Sequence, residues 1–497
     1  MNLLNKFVQV NTHLKDNKNI KVISIIEVTF LKKIMSKYYK LNKIFALRGW
    51  QKLPYAIVNL SNGVTKFITE KDMELLSYAN GEIDFELPIF TNEQLIIADK
   101  LVKMNILTVS DKPDPILDKQ KYHFHDNRYM QSVHWSMTGR CNYKCKHCYM
   151  SACTGKYGEL SHEQCLEIIR QMADCGIHRI SLTGGEALIR SDFFELVDAL
   201  IENDITIYCL YSNGQLINEK TLNELEKRNL HPEINMSFDG TEGWHDWLRG
   251  VNNASEAIDK AFKLCKEHGF TTGAEMCLHE KNKHTLRDSI NYLASVGCSS
   301  LKTNPISDVG AWHDGGYGKS IDTEDLFNIY LDYIPHYYED GKPLTIQLGG
   351  FFMAHPNQKG FFVPSIKPEN HSKDFSVCGH ARNQMYISAE GRALPCMSLS
   401  GQDIQNEYPL ILEKGLKYCL TDSSYMKLIT TKASEIIEHN KRCKTCEYAS
   451  RCCGGCRAAA LDSTPNDIEG IDEVTCLIFK GHYYDKIASI VKQFEKD

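Results

Sequence analysis

"TGRCNYKCKHCYM", residues 138–150, carries three cysteines within eight positions, and these are Cys141, Cys145 and Cys148. Both a tetrahedral zinc ion and a four-iron cluster need four ligands in total. A distant Cys or His completes a zinc site, whereas a small chelating molecule can complete a cluster whose fourth iron has no protein ligand. The arginine and lysines of the stretch offset the negative charge of the thiolates. What fills the fourth place therefore decides the chemistry of this loop.

The composition is that of a folded protein with no electrostatic attraction for nucleic acid. The chain has 497 residues, of which 42% are apolar and 24% charged, and a formal net charge of −6. This length allows roughly three domains, and nucleic-acid binding would require a basic face. The 19 cysteines are an odd number in a large chain, which suits a reducing compartment where thiolates bind metals. The stretch "VISIIEVTF" is short and contains Glu27, so it predicts neither a signal peptide nor a membrane span. We expect a cytoplasmic protein with no membrane partner.

The N-terminal part predicts a small module that follows an unassigned segment, residues 1–45. Over residues 46–120, two apolar runs joined by an Asn-Gly turn predict a hairpin. One helix is predicted from Thr69, as N-cap, to Gly81, and a second begins at a capping box that starts at Thr91. These elements indicate a winged-helix-like peptide-recognition module, since a hairpin edge can bind a peptide as an added strand. A purely structural appendage is the alternative.

The central part of the chain, residues 131–345, predicts a parallel sheet. Six apolar runs alternate there with amphipathic helices, which is typical of most of a (β/α) barrel. The three-cysteine loop, "TGGE", "YSNG" and "SFDG" all fall at the carboxyl ends of the strands, where such sheets carry their functional residues. Residues 376–480 are rich in cysteine and lack clear periodicity, which indicates a domain built around metal. A C-terminal helix is expected over residues 481–497.

The pair "CNYKCKHC" and "TGGE" in a βα repeat resembles the radical SAM superfamily. The resemblance implies an α/β fold with a partial (β/α)6 barrel and a [4Fe-4S] cluster on Cys141, Cys145 and Cys148, whose fourth iron binds S-adenosyl-L-methionine (SAM). We expect the two glycines to let backbone amides approach a ligand and Glu186 to pair with its ammonium group. The cofactor-binding residues implied are Gly184, Gly185, Glu186, Ser212, Asn213, Ser237, Asp239 and Arg249.

Several alternatives remain at these positions. Zinc is the alternative metal for the loop. The polar residues at the strand ends, Ser212, Asn213 and Ser237, also suit turns. The family often has Pro after the Glu, whereas this chain has Ala187, a difference that removes no ligand. We interpret His147 as a packing residue.

The later cysteines resemble the SPASM extension of radical SAM enzymes in order and spacing. The seven are Cys378, Cys396, Cys443, Cys446, Cys452, Cys456 and Cys476. This resemblance implies two auxiliary iron–sulfur clusters, one of them on Cys443, Cys446, Cys452 and Cys476. The other would have Cys378, Cys396 and Cys456 and one place short. Zinc ribbons are the alternative for paired C-x-x-C motifs. Most of the remaining nine cysteines are expected to act as small buried apolar residues, although Cys153 and Cys453 flank the cluster loops.

The resemblance implies an enzyme that cleaves SAM reductively and removes a hydrogen atom from a substrate. SPASM proteins mostly act on peptides, so the leading hypothesis is maturation of a ribosomally made precursor peptide (RiPP maturation), with a thioether crosslink favoured, as in sactipeptide and ranthipeptide synthases. An electron donor such as flavodoxin or ferredoxin is the second expected partner. Anaerobic sulfatase maturation is the runner-up, disfavoured because Met397 follows Cys396 where that group carries an Asp base. An iron–sulfur electron carrier is the non-enzymatic alternative. The sequence identifies no general base.

Overall fold

The structure, a computed structural model, describes residues 36–368 and 370–495. The apolar stretch containing Glu27 lies outside the described residues. The chain divides into two compact units. Within the described residues, one contains residues 36–47, 55–57 and 67–123, and the other contains the rest.

The N-terminal part contains seven strands and two helices that start where the sequence predicts. The strands are β1 Tyr38–Leu41, β2 Phe45–Gln51, β3 Leu53–Asn59, β4 Val64–Phe67, β5 Asn80–Asp84, β6 Leu107–Ser110 and β7 His123–Arg128. The helices are α1 Glu70–Tyr78 and α2 Asn92–Lys103. The sheet orders are β5-β1-β6 and β4-β3-β2-β7. Capping boxes at Thr69 and Thr91 confirm both predicted helix starts.

Two details of this part differ from the sequence-based expectations. Helix α1 ends before Gly81, because residues 80–84 pair with β1 as strand β5. Strand β1 itself lies in the segment that sequence patterns left unassigned. Strand β1 is only four residues long, so its own sequence pattern does not predict a strand. Its antiparallel pairing with β5 and β6 holds it in the sheet.

A ten-stranded sheet forms the centre of the second unit, in the order β15-β14-β13-β12-β11-β10-β9-β8-β16-β17. Its strands are β8 Ser132–Ser136, β9 Arg179–Thr183, β10 Thr206–Ser212, β11 Glu233–Ser237, β12 Thr272–Leu278, β13 Ser300–Pro305, β14 Thr345–Leu348, β15 Phe352–Ala354, β16 Gln384–Ile387 and β17 Ala393–Leu394. The six strands from β8 to β13 are parallel, which confirms the predicted βα pattern.

The sheet continues beyond both predicted edges. Strand β14 extends the parallel order past residue 345, and β15 pairs antiparallel with it. On the other edge, β16 pairs in parallel with β8. Because β16 lies between Cys378 and Cys396, this pairing brings part of the cysteine-rich region against the strand that leads into the three-cysteine loop.

Helices cover one face of this sheet. They are α3 His162–Asp174, α4 Phe193–Glu202, α5 Glu219–Lys227, α6 Trp244–Arg249, α7 Ala254–Glu267, α8 Leu286–Ser295, α9 Gly310–Asp314 and α10 Thr323–Glu339. Alternate strand residues such as Val133, Trp135 and Met276 are buried in one apolar core with the helices. A capping box at Ser161 starts α3, and Gly176 follows its end with φ of 71°. The other strand residues therefore point to the opposite face.

The C-terminal part is built from short helices. They are α11 Gly379–Asn383, α12 Ile411–Lys414, α13 Leu416–Cys419, α14 Ser424–Thr430, α15 Ala433–His439, α16 Lys441–Lys444, α17 Ala449–Cys452, α18 Arg457–Ser463, α19 Glu473–Lys480 and α20 Tyr483–Phe494. Most are shorter than three turns, which explains why no long helical period is visible in the sequence. Across the described chain, no helix has both the length and the apolar character needed to span a membrane.

Candidate active site

The three-cysteine loop follows β8 at the carboxyl end of the parallel strands, and its sulfurs face hydrogen-bond donors. The Tyr143 amide lies 3.4 Å from the Cys141 sulfur, and the Ala152 amide lies 3.3 Å from the Cys148 sulfur. Burial raises the pKa of Cys141 to about 12 and that of Cys145 to about 11. A metal centre needs thiolates, so its binding here must release protons. The backbone donors then stabilise the charged sulfurs.

The "TGGE" segment packs directly on this loop. The Gly185 amide donates to the Thr138 carbonyl at 2.8 Å, and the Glu186 amide donates to the Arg140 carbonyl at 3.0 Å. A Cβ atom on Gly185 would lie 2.0 Å from the Arg140 carbonyl oxygen. The Gly185 amide is therefore already bonded within the protein, whereas a ligand contact through the Gly184 backbone stays a prediction. Gly184 and Gly185 allow two backbone segments to approach closely, so the loop and the segment form one unit.

Glu186 organises the end of the next strand. Its carboxylate accepts hydrogen bonds from the Ser212 hydroxyl at 3.1 Å and the Asn213 amide at 2.8 Å. The Leu188 amide donates to the same carboxylate at 3.2 Å. Burial raises the pKa of Glu186 to about 7, against the effect of these donors. The side-chain amide of Asn213 reaches the loop, donating to the Asn142 side chain at 2.8 Å. Glu186, Ser212 and Asn213 thus lie together beside the cysteines.

Asp239 and Arg249 form a buried ion pair at the end of β11. The Arg249 Nε lies 2.6 Å from an Asp239 carboxylate oxygen, and the other oxygen accepts from the Cys277 amide at 3.0 Å. Burial alone would raise the pKa of Asp239, but the charge of Arg249 holds it well below its usual range. Arg249 Nη1 lies 3.7 Å from the Cys145 sulfur. Asp239 thus positions Arg249 against the cysteine loop, and the predicted cofactor contact through Asp239 stays a prediction.

The remaining predicted residue of the strand ends is Ser237, which closes β11 beside Glu275 of β12. His147, within the loop, has a buried Nδ1 without a hydrogen-bond partner among the described residues. It lies near the Cys277 thiol, which sequence patterns left unassigned. The strict alternation along β12 is the signal that could have placed Cys277 on the polar face.

A zinc site requires closely spaced ligand atoms. Zinc–sulfur bonds of about 2.3 Å in a tetrahedron place the sulfurs about 3.8 Å apart. Within residues 36–368 and 370–495, the one set of three metal-ligating atoms that all lie within 4.8 Å of one another belongs to His147, Asp239 and Cys277. Arg249 neutralises that set, so it does not favour a cation. Among the described residues, the cysteine groups do not show this close spacing.

The later cysteines fall into two groups. Burial, together with the neighbouring thiols of Cys456 and Cys378, raises the pKa of Cys396 to about 12. Burial and then the neighbouring thiol of Cys476 raise the pKa of Cys452 to about 12. Partial burial, and then the charges of Cys476 and Cys446, likewise raise the pKa of Cys443. The cysteines whose charges affect one another's pKa therefore form the same two groups that the sequence spacing predicts.

Asp472 joins the two groups, a contact that sequence patterns did not reveal. Its carboxylate accepts from the Cys456 amide at 2.7 Å. It also caps α19, the helix that carries Cys476, by accepting from the Thr475 amide at 2.9 Å. Gly455 has φ of 69°, and a Cβ atom there would lie 2.4 Å from the Asp472 carboxylate. One buried carboxylate thus orients a cysteine of each group.

Comparisons with known proteins found a family model and relatives that match the part of the chain that carries this site. Residues 135–293 match the radical SAM superfamily. AlbA, the antilisterial bacteriocin subtilosin biosynthesis protein of Bacillus subtilis (strain 168), is 25% identical over 345 residues, which are 68% of this chain and 70% of AlbA. An AdoMet-dependent heme synthase of Nitratidesulfovibrio vulgaris is 24% identical over 352 residues, 66% of this chain and 88% of that protein.

The fold is similar to that of a solved structure, Streptococcus suis SuiB bound to the precursor peptide SuiA. The TM-score is 0.62 at 17% identity, and the match covers 88% of this chain and 99% of SuiB. The matched superfamily segment contains the whole three-cysteine loop, the "TGGE" segment and the Asp239–Arg249 pair. The chain therefore contains a radical SAM domain and is an enzyme whose cofactors are SAM and a [4Fe-4S] cluster.

Proposed function

We propose that this protein modifies a ribosomally made precursor peptide by installing a crosslink, and that the crosslink is a thioether. Bound SAM on the loop cluster supplies a carbon radical that can take a hydrogen atom from the substrate. Cys141, Cys145 and Cys148 would hold that cluster, with Glu186, Ser212, Asn213 and Arg249 shaping the site around it. The later cysteines would hold two auxiliary iron–sulfur clusters in a SPASM domain.

One observation carries the proposal. Strand β16, which runs between Cys378 and Cys396, pairs with β8, which leads into the three-cysteine loop. The hydroxyl of Tyr386 on β16 lies 3.2 Å from that of Tyr149, the residue after Cys148. The cysteine group that is one thiol short therefore lies near the SAM-cleaving site. A cluster there can accept the electron that the substrate loses when a peptide cysteine forms a thioether.

Relatives support a peptide substrate without deciding it. AlbA serves bacteriocin biosynthesis, and SuiB was solved with a precursor peptide. A heme synthase is also similar to this chain, so the radical SAM domain alone does not select the substrate class. The N-terminal part adds a hairpin and two helices, which we propose bind the leader of the precursor peptide. We propose a flavodoxin or ferredoxin as the electron donor.

The test is to incubate the anaerobically reconstituted enzyme with SAM, dithionite and each cysteine-bearing short peptide encoded beside its gene. Mass spectrometry should show the loss of two hydrogens for each crosslink. A peptide whose cysteines are replaced by serine is the matched control and should keep its mass. If all such peptides keep their mass while SAM is cleaved, the proposed function is wrong. Formation of an aldehyde at a cysteine would instead support the sulfatase-maturing alternative.

A further inference from the structure

The face of the central sheet opposite the helices is polar. In a closed barrel this face is filled by branched apolar residues. Here its middle positions are His134, Asn235, Glu275 and Lys302, on four different strands. His134 Nε2 and Asn235 Oδ1 are buried without a hydrogen-bond partner among the described residues. Unsatisfied buried polar atoms are costly, which indicates that a polar substrate binds on this face.

Glu275 is the carboxylate of this face that remains available. In the described chain no hydrogen bond ends on it, and its partner is the Lys302 ammonium at 3.8 Å. By contrast, Glu186 and Asp239 accept bonds on both oxygens. Glu233 lies at the amino end of β11, away from the cysteine loop. The Glu275 side chain is 30% exposed, so a substrate can reach it.

The neighbours of Glu275 place it between the cysteine loop and the polar face. Burial raises the pKa of Tyr149, and the charge of Glu275 adds to that rise. The same two effects, burial and then its neighbours including Glu275, raise the pKa of Tyr211. Tyr149 directly follows Cys148, and Cys277 lies two residues beyond Glu275 on the same face. Glu275 pairs with Ser237 at the end of β11, and the Cys277 thiol lies within 4.8 Å of His147 in the cysteine loop, so this carboxylate is on the part of the face next to the loop.

Resting on the proposed function, we propose that Glu275 accepts the proton that the substrate thiol loses as the crosslink forms. The peptide C–H bond breaks, and its hydrogen atom goes to the deoxyadenosyl carbon. The C–S bond forms, the S–H bond breaks, and the proton goes to the Glu275 carboxylate. One electron leaves the product for an oxidised iron–sulfur centre. The peptide has then lost two hydrogens.

A free thiol is less acidic than a carboxylic acid, with pKa values of about 8.5 and 4.3. The proton leaves while sulfur bonds to carbon, when the S–H group is far more acidic than in the free thiol. A carboxylate is then a sufficient base, and a positioned base typically contributes about 100-fold to 10,000-fold in rate.

The test uses Glu275→Gln with Glu233→Gln as the matched control, a carboxylate on the neighbouring strand. The probe is a perdeuterated form of the peptide that the wild-type enzyme crosslinks. Glu275→Gln should still transfer one deuterium to 5′-deoxyadenosine within about 3-fold of the wild-type rate, whereas crosslinking should fall by about 100-fold or more. Glu275→Asp should recover part of the crosslinking, and Glu233→Gln should retain both activities.

Two results would overturn the role of Glu275. Crosslinking at the wild-type rate in Glu275→Gln would exclude it as the base. Equal loss of deuterium transfer and crosslinking would mean that the residue acts before the hydrogen atom is removed. The release of 5′-deoxyadenosine without peptide checks that the variant is folded and loaded. If the wild-type enzyme crosslinks none of the candidate peptides, the proposed function fails before any variant is compared, so the two failures are distinguishable.

Discussion

Replacement of Asp239 by Asn should destabilise the protein, because it leaves the Arg249 guanidinium buried without its counterion. The Asp239 side chain is fully buried and that of Arg249 is 10% exposed, with 2.6 Å between the paired atoms. At an effective dielectric constant of about 20, this distance corresponds to a Coulomb attraction of about 6 kcal/mol. Removing one partner of a buried pair costs about 3–5 kcal/mol. We expect a loss in that range for Asp239→Asn.

The assay is urea unfolding of the metal-free protein, followed by tryptophan fluorescence. Trp244 and Trp247 lie on α6, the helix that carries Arg249, so they report on this region even if the chain unfolds in several steps. The double variant Asp239→Asn/Arg249→Met removes both charges and should be more stable than Asp239→Asn alone. A loss below about 1 kcal/mol for the single variant, or no recovery in the double variant, would refute the reasoning.

Three further predictions follow from individual contacts. Gly185→Ala places a Cβ atom 2.0 Å from the Arg140 carbonyl oxygen, so the loop should lose its cluster and the iron content should fall by about four atoms per chain. A Cβ atom on Gly379 meets no atom within 4 Å, so Gly379→Ala should bind iron normally. A normal iron content in Gly185→Ala would contradict this prediction. Burial raises the pKa of Glu186 to about 7, above its unfolded value of about 4.3, so metal-free wild type should lose about 3 kcal/mol of stability as pH rises from 4 to 7, and Glu186→Gln should not. If the urea midpoints of the wild type and of Glu186→Gln change in parallel across this pH range, this prediction is wrong. Asp472→Ala removes the acceptor of the Cys456 amide and the cap of α19, so up to about eight iron atoms should be lost while 5′-deoxyadenosine release persists; full iron retention would show that Asp472 positions neither group.

Local patterns in the sequence predict the parts of the fold that depend on nearby residues. The six parallel strands, the capping boxes at Thr69 and Thr91, and the stop at Gly176 each rest on a short periodicity or a few neighbouring side chains. The edge strands β14 to β17 are two to four residues long, so they carry no readable alternation. Their pairing depends on the whole sheet, which the sequence does not show.

The sequence indicates which residues belong to the candidate site, but it indicates much less about the contacts between them. Cysteine spacing points to the loop residues because ligation chemistry limits which residues can take part. The bonds of Gly185 and Asp239 run to partners 47 and 10 residues away respectively, and the Asp472 contact spans 16 residues. No local pattern distinguishes a side chain that binds a ligand from one that holds another residue in place. Glu275 was missed for the same reason, since its availability appears only once Glu186 and Asp239 are seen to be occupied.

The central claim is that SAM is cleaved at the loop cluster, separately from the auxiliary clusters. The most direct measurement is 5′-deoxyadenosine release under dithionite by Cys145→Ala and Cys476→Ala, beside the wild-type enzyme. We predict no release from Cys145→Ala, and release without peptide crosslinking from Cys476→Ala. Release at the wild-type rate from Cys145→Ala, or equal loss of both activities in Cys476→Ala, would contradict the account.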